Sequence, residues 1–173
     1  MKKSKCINTI RGFLSVLLVI TISSSAIIFA SAAKFTLFAG ICPNILNVSG
    51  TSVSNGSVVK TWEPTGHWTQ NWTYRQGYTS GTQALVLSAN TAYAINRSTS
   101  TGQAIMWYYD NGYYDSDLKV VGSSPYIKFK LARTTNSEST TQYLLVNSVY
   151  EGAYVWFSTN LNYNSFNYCW EKN

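Results

Sequence analysis

Chemically useful side chains are scarce in this sequence. Charged residues make up 12% of its 173 positions, and only seven of them are acids. A glycosidase needs two placed carboxylates, and these scattered acids offer no distinct pair. Histidine occurs once, as His67 between Gly66 and Trp68. That setting reads as a turn, although a hydrolase using His67 as its base stays open as an alternative. No Gly-x-Ser-x-Gly nucleophile motif occurs, and no Cys/His spacing suggests zinc. The one acidic cluster, Asp110-Asn111-Gly-Tyr-Tyr-Asp115-Ser-Asp117, lacks the spacing and the closing Glu of a calcium loop. It reads as a hairpin tip. No cofactor is expected. Helical periodicity is missing as well, because no window after residue 32 keeps an i, i+3, i+4 apolar stripe for three turns.

The basic balance of the chain is concentrated at its start. Lys2, Lys3, Lys5 and Arg11 precede an apolar run from Phe13 to Ile22 and a second short one at Ala26–Phe29. Ala30-Ser31-Ala32 then offers a small-x-small cleavage site, so residues 1–32 read as a signal peptide. An uncleaved anchor is the competing reading, since roughly 17–25 apolar residues span a bilayer. Thr21 and Ser23–Ser25 interrupt the run and favour cleavage. The precursor carries a formal charge of +6, but beyond Ala32 nine Lys/Arg face seven Asp/Glu, about +2. With no basic run left, nucleic acid is not an expected partner, nor is membrane insertion of the mature chain. Secretion is the expected fate.

Cys6 departs with the leader, which leaves Cys42 and Cys169 near the two ends of the remaining domain, 34–173. In an oxidising compartment such a pair suggests one disulfide, with two unrelated thiols as the alternative. A bridge would require the two ends to lie side by side.

Tyr, Trp, Ser, Thr and Asn abound, a mixture suited to short strands and polar turns. Twelve β-favouring runs follow in three groups of four. They are 35–38, 45–48, 58–62 and 68–74; then 84–88, 92–95, 104–109 and 118–121; then 126–132, 143–146, 153–158 and 168–171. The groups, about 34–80, 81–124 and 125–173, repeat in detail. Leu46-Asn47, Ile95-Asn96 and Val146-Asn147 each pair an aliphatic residue with Asn. Gly56, Gly102 and Gly152 follow, then an apolar run with an aromatic, then a large closing residue at Trp72, Leu118 and Trp170. A period near fifty residues is architecture. Three copies are too few for a propeller but fit a closed threefold all-β body, with a β-prism as the fold alternative.

The first copy runs Ile45-Leu46-Asn47-Val48, Asn55-Gly56, Val59-Lys60-Thr61-Trp62 and Gln70-Asn71-Trp72. It resembles one repeat of the ricin-type β-trefoil lectins, whose repeat has an aliphatic-acid-Val strand, an Asn-Gly turn, a Val-x-x-Trp strand and a closing Gln-x-Trp. The second copy is weaker, with Asp115-Ser-Asp117-Leu118 at its close, and the third ends in Tyr168-Cys169-Trp170. The resemblance implies a β-trefoil of twelve strands with up to three shallow sugar pockets. It implies carbohydrate contacts at Asn47, Lys60, Trp62 and Gln70 in the first copy, Trp62 being the stacking platform. Its matches in the second copy are Asn96 and Tyr108, with Asn111 as a third contact. In the third copy they are Asn147 with Trp156 or Phe157. Asn replaces the family's acid in every copy, which removes a charge-assisted hydrogen bond, so galactose specificity does not carry over. The implied function is non-catalytic binding of a surface or wall glycan or polysaccharide. A protein-interaction module of the same fold stays open, and a toxic or enzymatic activity would have to come from a partner chain.

Overall fold

The computed structural model describes residues 33–110, 114–123, 125–133, 141–159 and 169–173. All twelve expected strands are present. The first group is β1 (Leu37–Ala39), β2 (Ile45–Val48), β3 (Val59–Trp62) and β4 (Trp72–Gln76). The second is β5 (Gln83–Leu87), β6 (Asn90–Arg97), β7 (Ala104–Tyr108) and β8 (Leu118–Ser123). The third is β9 (Tyr126–Leu131), β10 (Tyr143–Val146), β11 (Val155–Ser158) and β12 (Trp170–Lys172). The expected strand at 68–74 divides. Trp68–Gln70 forms a 3-10 turn capped by the His67 side chain, and the strand starts only at Trp72. A matching 3-10 turn, Tyr114–Ser116, precedes β8.

Six strands close a barrel. The pairs β1–β12, β12–β9, β9–β8, β8–β5 and β5–β4 are antiparallel. The ring is completed where Phe35 and Trp72 exchange backbone hydrogen bonds of 2.9 and 2.8 Å. The other six strands form three hairpins, β2–β3, β6–β7 and β10–β11, each joined to the barrel by its first strand. The hairpins also hold one another. Val58 bridges to Ile105, Gln103 to Trp156 and Tyr154 to Lys60. That cycle fixes which residues are equivalent, because Val58, Gln103 and Tyr154 play one role and Lys60, Ile105 and Trp156 the other.

Alternation explains which side chains enter the core. Ile127, Phe129 and Leu131 of β9 are buried, while Lys128 and Lys130 between them lie nearer solvent. The closing residues Trp72, Leu118 and Trp170 are at most 1% exposed and lie in one cluster with Leu46, Ile95 and Leu144. A buried indole needs an acceptor. Trp72 Nε1–H donates to the Leu46 carbonyl at 3.0 Å, and Trp170 Nε1–H to that of Leu144 at 3.1 Å. No copy covers its own apolar face; each depends on the other two.

One buried charge ties the second group to its surroundings. The fully buried Asp117 carboxylate accepts hydrogen bonds from the backbone N–H of Tyr78 (3.2 Å) and Thr79 (2.9 Å) and from the Tyr109 hydroxyl (3.0 Å). Arg133 Nε lies 2.9 Å away as its counter-ion. An opposite charge and three donors thus offset the burial of the carboxylate.

The ends of the domain meet, as the closed body requires. Thr36 and Asn173 exchange backbone hydrogen bonds, and Gly40 N–H donates to the Cys169 carbonyl at 2.9 Å. The expected disulfide is not formed, and Cys42 and Cys169 are both half-buried thiols. Closure does not depend on a bridge, because the register Leu37↔Lys172, Phe38↔Glu171 and Ala39↔Trp170 already zips the seam.

Candidate functional site

Each hairpin has a shallow cavity beside it. The first, about 290 Å³, is lined by Asn47, Trp62, Thr65, His67, Thr69 and Gln70 together with the backbone turn after β2. Strand alternation builds one wall. Val59 and Thr61 point into the core, so Lys60 and Trp62 face outward, and the Trp62 ring is 41% exposed. The 3-10 turn builds the opposite wall. Thr69 Oγ1 donates to Asn47 Oδ1 at 2.9 Å and lies 2.8 Å from His67 Nδ1. An aromatic face therefore stands across from an amide, a hydroxyl and an imidazole. That combination suits a ligand with one apolar face and several hydroxyls.

Gln70 lines the cavity as its motif implies, but its amide is turned toward the backbone of the rim. It is 1% exposed, and its Oε1 accepts from Thr65 N–H, Thr65 Oγ1 and Gly66 N–H at 2.9, 3.0 and 3.1 Å. Its Nε2 donates to the Glu63 carbonyl at 2.7 Å. The amide spans the loop 63–66 and fixes the pocket rim, with its hydrogen-bonding capacity directed at the backbone. Lys60 does not line the cavity; its ammonium sits 4.7 Å above the Tyr154 ring.

The second cavity, about 340 Å³, is lined by Asn96, Arg97, Ser98, Ile105, Trp107 and Asp115 with Thr99 and Ser100. Asn96 is 7% exposed and its Nδ2–H donates to Ser116 Oγ at 2.8 Å. The third, about 320 Å³, brings together Thr101, Leu145, Asn147, Trp156, Phe157 and Ser158. Among the described residues no group of three His, Cys, Asp or Glu is placed to hold a metal.

No protein-family model and no curated protein matches the sequence. Solved structures do. The designed threefold-symmetric protein ThreeFoil superposes with a TM-score of 0.66 at 20% identity, over 80% of this chain and 96% of that one. The C-terminal half of the earthworm R-type lectin, solved with GalNAc, gives 0.60 at 16% identity over 81% and 98%. A mosquitocidal holotoxin gives 0.66 at 10% identity, over 82% of this chain but only 17% of its own length. The fold is a β-trefoil. At these identities the likeness is one of fold, and the chemistry of the pockets has to be read from this chain's own residues.

The trefoil symmetry realigns the copies. In register, Asn47 faces Lys60 and Asn96 faces Ile105, but the residue facing Trp156 is Leu145. Asn47, Asn96 and Leu145 are therefore the equivalents, and Asn147 lies two positions further on, exposed at the rim. The Trp62 position is taken by Trp107 in the second copy and Ser158 in the third, not by Tyr108 or Trp156. Tyr108 is 51% exposed, and its backbone N–H donates to Asn55 Oδ1 at 2.7 Å, which ties it to the tip of the first hairpin. Gly102 likewise matches Ser57 and Ala153, since Met106 N–H, Phe157 N–H and Thr61 N–H donate to Ser57, Gly102 and Ala153 carbonyls. Arg97 holds the strand position of Val48 and Val146. Asn111 lies outside the described residues. Motif reading did not reach Thr65, Thr69, Trp107 or Asp115, yet Thr69 and Asp115 hold one place, three residues before Trp72 and Leu118 respectively.

Proposed function

We propose that this chain is a carbohydrate-binding protein that holds saccharides without transforming them, chiefly through the first and second trefoil copies. The observation that carries the reading is the first pocket, where the exposed Trp62 ring faces Asn47, Thr69 and His67 across a shallow cavity. An aromatic face covers the C–H side of a sugar ring while side-chain donors and acceptors take its hydroxyls. In the second copy Trp107 and Asn96 repeat the pairing, and Asp115 adds a carboxylate. The third copy has Leu145 and Ser158 at the two decisive positions, so its cavity lacks the shared chemistry.

The pockets also weigh against hydrolysis. Among the described residues no Asp or Glu lines the first or the third, and Asp115 alone lines the second, whereas glycoside hydrolysis uses a pair. His67 is held as the cap of a 3-10 turn. Export with loss of residues 1–32 fits a protein whose ligand is a surface or wall glycan, and amino-terminal sequencing of the secreted form tests it. The holotoxin likeness allows for an associated toxin chain.

A glycan-array screen of the chain from residue 33 onward, with Trp62→Ala alongside, tests the function. Selective binding that the substitution weakens is expected. A folded chain that binds no glycan would overturn the reading and turn attention to protein partners.

A further inference from the structure

We propose that the first pocket is one end of a longer binding surface, continued by rings of the third copy, so that the ligand is a saccharide chain rather than a single terminal sugar. This rests on the carbohydrate reading above and extends it. Trp62 does not stand alone on the surface. The turn Tyr150–Ala153 of the third copy lies against it. Gly152 N–H donates to the Thr61 carbonyl at 2.8 Å, and a Cβ on Gly152 would come within 3.4 Å of Cζ3 of the Trp62 ring. At φ +77° Gly152 has a backbone that disfavours other residues, so this close approach is built in. Asn44, next to the Ile45 that faces Trp62, reaches the Val149 carbonyl at 3.5 Å. The same turn presents Tyr150, 77% exposed, and leads into Tyr154, 46% exposed. Tyr154 is pinned by Lys60 above its ring and by the edge of Trp156 at 6.3 Å. Its orientation is thus set before any ligand arrives.

The turns at the other two junctions of the pseudo-threefold present no aromatic side chain. The matching turn of the first copy, closed by Ser57 N–H to the Ser54 carbonyl, has Ser54 where the third has Tyr150. The second copy has Ser98, Thr99, Ser100 and Thr101 in its loop, and the counterparts of Tyr154 are Val58 and Gln103. Of the three junction turns, only the one beside the exposed Trp62 therefore presents rings; the exposed Tyr108 is a strand residue held at the tip of the first hairpin. Because the fold needs none of them there, symmetry argues that the strip serves ligand contact. Its continuity with the first pocket, whose ring and polar groups it extends with further rings, matches a linear oligosaccharide. Successive pyranoses of such a chain present apolar faces and hydroxyls in turn.

The test is a titration series with monosaccharides and their linear oligomers up to the hexamer, from the gluco-, xylo-, galacto- and chito- series. The wild type, Tyr150→Ala/Tyr154→Ala and Tyr150→Phe are compared. In at least one series affinity should rise about tenfold or more from monomer to tetramer, as each stacked ring adds its contact. The double alanine variant should lose that rise while keeping the wild-type affinity for the monosaccharide, and Tyr150→Phe should keep both. Monosaccharide binding with no dependence on chain length, or a rise that survives the double substitution, would refute the extension and leave the carbohydrate reading standing. Binding of no sugar in any series would overturn both.

Discussion

Removing the Trp62 ring should abolish one saccharide site and leave the other. A Trp side chain offers about 250 Å², and 41% of Trp62 is exposed, so roughly 100 Å² is open to a ligand. If a pyranose covers half of that, about 50 Å² of ring and a similar area of sugar leave water, which at ~25 cal/mol per Å² gives about 2.5 kcal/mol. A loss of that size lowers affinity roughly 60-fold. Isothermal titration of a binding monosaccharide against the wild type should show two sites per chain, and Trp62→Ala should reduce the measurable number to one. The surviving site, built on Trp107 and Asn96, is the internal check that the variant has folded. On a dense glycan surface the loss should be far greater, because a bivalent attachment becomes monovalent. Two unchanged sites in Trp62→Ala would refute the reasoning, since the ring would then be shown to contribute nothing.

Three further outcomes concern the scaffold. Asp117→Ala removes a buried charge from two backbone donors, the Tyr109 hydroxyl and Arg133. It should cost about 3–5 kcal/mol in a denaturant titration, and a loss below about 1 kcal/mol would show the network to be idle. Trp72→Leu reproduces the second copy's Leu118 in the first, leaves the Leu46 carbonyl without its indole donor and opens a cavity. A loss of about 3–5 kcal/mol is expected, with sugar affinity at the second pocket unchanged. Burial pushes the Tyr74 phenol up to about 12. Burial, then the Asp117 carboxylate, raises that of Tyr109 as well. Both folded values lie above the unfolded one, near 10, so the neutral phenols favour the fold. That contribution is complete below about pH 10 and is lost as pH rises beyond it. Thermal unfolding followed from pH 8 to pH 11 should show the midpoint falling at the alkaline end, less steeply in Tyr74→Phe. A flat profile would contradict the burial argument.

The strands were legible because alternation marks them: Tyr126–Leu131 reads as lysines and apolar residues in turn, and it lies in the barrel that way. The first copy's pocket was legible because Asn47 and Trp62 sit in a well-kept motif. The other copies were misaligned because the loops inside their hairpins differ in length. Asn-Gly landmarks therefore slid while the strands did not. A better ruler was present in the sequence, since each closing Trp stands 26 residues after the carbonyl that holds it, Leu46 for Trp72 and Leu144 for Trp170. Counting back from Trp170 finds Leu144, and so Leu145 rather than Asn147. Parity would have separated Trp107 from Tyr108 in the same manner, because Ala104 and Met106 point inward. The role of Gln70 was not legible. Its amide turned out to serve the loop 63–66, which only the folded rim reveals. Nor could the sequence show how Cys42 and Cys169 stand to one another; the seam beside them is zipped by the backbone register of β1 and β12.

That seam has a topological consequence. Because Thr36 and Asn173 are hydrogen-bonded partners, the domain is close to a ring that happens to be cut at one point. A short linker across the cut, with new ends opened in another polar turn such as Thr79–Gly81, would give a reordered chain with the same contacts. Anything tethered at either end also emerges beside the same seam, so a fused module would start from one place relative to the pockets whichever end carried it.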